Sequence, residues 1–211
     1  MRYSSGDLID LSPLASPAIG VWPGDTPMSR EVLATLADGA SVELSTLHAT
    51  VHLGTHTDAW SHAVDGEATI EAMPLDAYVG PCQLVHVDIG RNELITPAHL
   101  PDHLEAPRLL VGTGTFPDPD DFTTDFAAFD PATAEWLADQ GGLLLGIDTP
   151  SVDVFDSKEL PTHHTCVSRR LAILEGLVVA GVPDGVYELM ALPLPLAGFD
   201  ASPVRAVLRV P

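Results

Sequence analysis

Apolar and β-branched residues recur along this chain in short blocks, each closed by Gly, Pro or Asp. "LIDLS" (8–12), "SVELSTLHATVHL" (41–53), "CQLVHVDI" (82–89), "PRLLVGT" (107–113), "GLLLGID" (142–148), "GVYELMALPL" (185–194) and "VRAVLRV" (204–210) read as strands. "VPDGV" (182–186) supplies a turn. Helices are fewer. The clearest is "DPATAEWLADQGG" (130–142), with Asp130 as N-cap, Pro131 at the first position and Gly141 as terminator. A second is expected over "TPAHLPDHL" (96–104), and a third over part of 162–174, after Pro161. Strand and helix signals are interspersed, which predicts one strand-rich α/β domain spanning residues 1–211.

Composition narrows the partners. The chain has 211 residues, enough for a sizeable core. It is 45% hydrophobic with mean hydropathy +0.20, which is the composition of a folded globular protein. Thirty acidic residues against nine basic ones leave a net charge of −21. That field repels nucleic-acid phosphates and anionic lipid but suits a cation site. No run approaches eighteen apolar residues, and "MRYSSGDLIDLSP" lacks the apolar core of a secretory leader. Two cysteines, Cys82 and Cys166, make no disulfide framework, so a reducing cytoplasm is the expected home.

The densest chemistry lies in "TVHLGTHTDAWSH" (50–62). His52, His56, Asp58 and His62 all fall on even positions. If the extended run continues through them, alternation sets all four on one face, with Gly54 leaving room for an ion or ligand. A helix would instead turn Asp58 away from the His52–His56 pair. Two imidazoles and one carboxylate form a set suited to Zn²⁺, Mn²⁺ or Fe²⁺. On this basis His62 is either a fourth ligand or a free base. His48, His86, His99 and His103 sit in runs whose period accounts for them, and are read as structural. Downstream, "PTHHTCVSRRLAILEGL" (161–177) holds adjacent His163 and His164, and Glu175 inside an apolar run. A carboxylate there is costly unless paired or bound to a cation. Spacing alone leaves exposed side chains and ligands as equal readings. Asp148 and Asp153 are read as turn aspartates that bond their own backbone, and Cys166 as buried packing.

"HLGTHTD" followed by His62 resembles the HxGTHxDxPxH signature of the metal-dependent cyclase-like hydrolases, and among them the bacterial kynurenine formamidases. The resemblance extends to "DLSPLASPAIGVWPGDTP", "PLDAYVGPCQLVHVD", "GIDTPSVD", "DSKELPTHH", "AILEGL" and "YELMALPLPLAGFDASPVRAVLR". It implies a swivelling β/β/α-type fold, a homodimer and two zinc ions per subunit, with manganese as an alternative. Carried over by position, His52, His56 and Asp58 hold one ion. Asp58 also reaches the other, with His163 and Glu175, and Glu175 touches both. His62 becomes the proton carrier for a zinc-activated hydroxide, and Trp22 lines the pocket for N-formyl-L-kynurenine. One position departs from the signature: Trp60 stands where it has proline. Trp60 is expected to reach the pocket and to bear on substrate choice. Related aryl or cyclic amides, and metal binding without catalysis, are the competing readings.

Overall fold

The computed structural model describes residues 3–211, so the first two residues of the leader reading lie outside it. Thirteen strands occur in chain order: β1 (Leu8–Asp10), β2 (Ser29–Ala34), β3 (Leu44–His48), β4 (His56–Asp58), β5 (Val79–His86), β6 (Leu94–Ile95), β7 (Arg108–Gly112), β8 (Ala128–Phe129), β9 (Leu144–Ile147), β10 (Ala172–Glu175), β11 (Gly185–Met190), β12 (Ala201–Pro203) and β13 (Val207–Arg209). Two α-helices accompany them, α1 (Pro131–Asp139) and α2 (Pro161–Ser168). Nine strands form one sheet in the order β1-β13-β11-β5-β7-β9-β10-β4-β12. Its centre, β5-β7-β9-β10, is parallel, and the flanking pairs are antiparallel.

Both faces of that parallel centre are buried, which is why its strands read as unbroken apolar runs. Leu84, Leu110, Leu144 and Leu174 face one cluster, shared with Leu189 and Leu208 from the antiparallel wing, so the sheet curls over its own core. Their neighbours Val85, Leu109, Val111, Leu145 and Ile173 face the other cluster, which takes Ala134 and Leu137 of α1 and Cys166 of α2. This strand-rich α/β architecture is the fold expected from the sequence. No helix among the described residues is long and apolar enough to cross a membrane.

Two expectations need correction. The helix over 96–104 shrinks to a 3-10 turn at Pro97–His99, because Leu100 precedes Pro101 and is held extended at ψ 162°. The run at 41–53 is strand only over Leu44–His48. The third expected helix is present and covers the first part of its range, Pro161–Ser168. Arg170 at φ +58° then turns the chain, and Ala172–Glu175 forms strand β10, which places Glu175 on the sheet.

Candidate metal centre

Strand β4 is the foundation of the site. His56 and Asp58, two residues apart, project from one face of it. Antiparallel pairing with β10 sets Glu175 directly opposite His56. Helix α2 delivers His163, and its first turn is held by Asp153, whose carboxylate accepts from the Thr162 and His163 backbone N–H groups at 3.0 Å each. His52 and His62 do not lie on β4. Gly54 at φ +57° breaks the extended run before it, and Trp60–His62 forms a 3-10 turn after it. Alternation therefore accounts for His56 and Asp58 alone, while the bends fold His52 and His62 back to the same place. Gly54 does not open space for an ion either. A Cβ there would stand 2.9 Å from Ile19 Cδ1 and 3.1 Å from Pro13 Cγ, so the glycine serves the turn and close packing.

The donor atoms converge in two sets. Asp58 Oδ1 lies 3.1 Å from His52 Nδ1 and 3.6 Å from His56 Nε2, whereas Asp58 Oδ2 lies 3.3 Å from His163 Nε2. Glu175 divides the same way, with Oε2 3.1 Å from His56 Nε2 and Oε1 3.6 Å from His163 Nε2. Donors bonded to one tetrahedral zinc at about 2.0–2.2 Å stand about 3.3–3.6 Å from each other; three of these separations fall in that range and the two at 3.1 Å lie just below it. Both Asp58 oxygens are fully buried and accept no hydrogen bond. A buried carboxylate left so is costly unless a cation sits against it, and among the described residues no Lys or Arg lines the cavity.

Outer contacts fix which ring nitrogens are free. His56 Nδ1 donates to the Gly54 carbonyl at 2.9 Å and His163 Nδ1 to Asp153 at 2.7 Å, leaving each Nε2 lone pair turned inward. Burial pulls the His52 and His163 pKa values down. It is outweighed by the bond to Asp200 and the nearby charge of Asp58 at His52, and by the bond to Asp153 and the charges of Glu175 and Asp58 at His163, which raise them to about 11 and about 10. Burial pushes Asp58 up, but the surrounding histidines hold it well below the carboxylate range. Protons on imidazole meet this demand for positive charge when no metal does. The residues fit a divalent cation.

His62 borders both sets, its ring centroid 4.5 Å from that of His52 and 5.7 Å from that of His163. Its polar partner is Asp200, 3.1 Å from Nδ1, and it makes no ion-pair contact with Asp58 or Glu175. A ring nitrogen still lies within 4.8 Å of donor atoms of Asp58 and His163. A cavity of about 590 Å³ opens over the cluster. Trp22, Phe116 and Phe122 form an aromatic wall there. Trp22 packs at 4.7 Å on Phe155 and edge-on at 5.7 Å to Phe122.

Trp60 goes elsewhere and is absent from the cavity lining. Its Nε1 donates to the Leu171 carbonyl at 2.9 Å, and the Arg170 guanidinium lies 4.6 Å over its ring. The hydrogen bond, the cation and packing against the adjoining core hold the indole away from the cavity. His164 is exposed on α2 and Cys166 is buried packing. His86, read as structural, lines the far end of the cavity, bonded to Asp184 at 2.6 Å. Two residues escaped the sequence reading. Asp153, taken for a turn residue, is the partner of His163, and Asp200 bonds both His52 and His62. No spacing signals Asp200, which lies 138 positions from His62.

The Cyclase family model matches residues 9–154. The kynurenine formamidase of Bordetella petrii is 44% identical over 205 residues, 96% of this chain and 97% of that protein. A solved structure described as a predicted metal-dependent hydrolase from Bacillus stearothermophilus is 32% identical, with TM-score 0.80 over 96% of this chain and 97% of its own. Isatin hydrolase A from Labrenzia aggregata, at 19% identity, shares the fold with TM-score 0.81 over 97% and 93% of the two chains.

Proposed function

The chain belongs to the Cyclase family, and on that premise we propose that it hydrolyses N-formyl-L-kynurenine to L-kynurenine and formate, a step of tryptophan degradation, at a site for two zinc ions. The observation that carries this reading is the division of Asp58 and Glu175. Each turns one oxygen to one donor set and the other oxygen to the second. His52 and His56 would hold one ion, His163 the other, and the two carboxylates both; manganese suits the same donors. When bound, zinc supplies Lewis acidity, bringing the pKa of water to about 7 and polarising the formyl oxygen.

The chain's own residues supply the remainder. His62 sits beside the cluster without joining it, placed to take a proton from the attacking water and return it to the leaving aryl nitrogen. Trp22 offers a flat face to the aryl ring, backed by Phe155 and Phe122. Asp58 and Glu175, buried among donors rather than water, hold their geometry before substrate arrives. With Trp60 outside the cavity, its departure from the family signature leaves the aromatic wall untouched. Metal binding without catalysis would require His62 as a ligand; its hydrogen bond is to Asp200, and the zinc content of His62→Ala separates the two readings.

We also propose a homodimer. Val32, Leu33, Leu36, Val42, Leu44 and Leu47 expose apolar surface on and around the two-stranded β2–β3 unit, which is too small to be stable unsupported. Light scattering giving the mass of one chain would overturn it. For the activity, kcat/KM should be measured on N-formyl-L-kynurenine, on formanilide and on isatin as a cyclic amide. The formylated amino acid should be the best substrate, and a preference for the cyclic amide would overturn the assignment.

A further inference from the structure

One carboxylate oxygen joins the cluster to the proposed proton carrier. Asp200 Oδ2 lies 3.0 Å from His52 Nε2 and 3.1 Å from His62 Nδ1. The residue is well anchored. Its backbone carbonyl accepts from Ala59 N–H at 2.8 Å, and the next residue, Ala201, opens β12 in register with Asp58. The side chain is therefore held from the strand beside the ligands, although half of it is open to solvent.

A carboxylate oxygen has two lone pairs and no proton, so both imidazoles must present N–H to it. For His52 this leaves Nδ1 as the free lone pair, the atom that faces Asp58 Oδ1. For His62 it leaves Nε2. We infer that Asp200 is a positioning residue that holds His62 in the tautomer protonated on Nδ1, so that Nε2 is the atom that accepts and returns the proton. The inference rests on the reading of His62 as the proton carrier. Without Asp200, nothing specifies which nitrogen of His62 bears the proton, and the ring is free to turn on its 3-10 segment.

The test uses zinc-loaded protein labelled with ¹⁵N-histidine, with the His62 signals assigned from the His62→Ala variant. Long-range ¹H–¹⁵N spectra should show His62 protonated on Nδ1, and in Asp200→Ala they should show that preference lost. A His62 protonated on Nε2 in the native protein, or unchanged in Asp200→Ala, overturns the inference. This readout needs no substrate, so it can fail or hold independently of the proposed reaction. Kinetics supply the second arm. At full zinc occupancy Asp200→Ala should lower kcat by about 10–100-fold, the usual cost of losing an outer-shell partner, with KM within about twofold. Asp200→Asn, which keeps an acceptor oxygen, should recover part of the loss. Added to His62→Ala, the Asp200 change should cost less than about twofold more. An equal cost in both backgrounds would show that Asp200 does not act through His62.

Discussion

The two walls of the cavity are built by different means. The polar wall stands on regular structure: Asp58 and His56 on β4, Glu175 opposite them on β10, and His163 in α2 under the clasp of Asp153. The aromatic wall stands on loops. Trp22, Phe116 and Phe122 belong to no strand or helix and are positioned chiefly by one another and by Phe155 behind Trp22, with one backbone bond from Gly20 N–H to the Pro119 carbonyl joining two of the loops. A cluster of buried charges tolerates little movement, because each misplaced oxygen is an unsatisfied one. An apolar wall can shift and still exclude water. The same scaffold can therefore keep its chemistry while the loops alter what is admitted.

Substitutions on the polar wall should have the largest effect. Asp58→Asn removes the charge shared by both donor sets. Losing Lewis-acid stabilisation of several kcal/mol, at a factor of ten per 1.36 kcal/mol, lowers kcat by about 10³-fold or more, and metal content should fall with it. A variant that keeps both ions and near-native turnover would break the distinction between the walls. His62→Ala comes next. Turnover should drop by about 10²–10⁴-fold while zinc measured by mass spectrometry stays at the native level. Zinc lost in proportion to activity would instead make His62 a ligand.

The aromatic wall should respond more gently. Trp22→Ala removes one stacking face, about 0.5–1.5 kcal/mol, so KM for N-formyl-L-kynurenine should rise roughly 2–10-fold with kcat little changed. A kcat loss as large as that of His62→Ala would show that this wall also orders the reacting atoms. The smallest effect is expected outside both walls. Trp60→Phe deletes the bond to the buried Leu171 carbonyl and should lower stability in urea by about 1–2 kcal/mol, leaving KM unaltered. A changed KM would return Trp60 to the substrate question.

The same contrast explains what could be read from the sequence. The central strands were legible because both their faces are buried and their apolar runs are unbroken. His56 with Asp58 followed from the period of two. Glu175 stood out as a carboxylate in an apolar run, but spacing left it and His163 open between ligand and exposed side chain, and the family resemblance joined both to the site. Alternation could not foresee Gly54 at φ +57° or the 3-10 turn at Trp60–His62, since a bend resets the period. Asp200 and Asp153 were illegible for a different reason. Each is an ordinary turn or strand-end aspartate until the fold sets it against a histidine, 138 and 10 positions away respectively. Trp60 misled because proline was the only guide to that position, and its real partners, Leu171 and Arg170, lie over a hundred residues downstream.

The central claim is that Asp58 and Glu175 gather a metal pair that performs the hydrolysis. The direct measurement strips the purified protein with a chelator, restores zinc in steps, and records bound zinc and N-formyl-L-kynurenine turnover on the same samples. Turnover should vanish with the metal and return as occupancy rises towards two ions per chain. Undiminished turnover by the metal-free protein, or two bound zinc ions with no turnover, would contradict it.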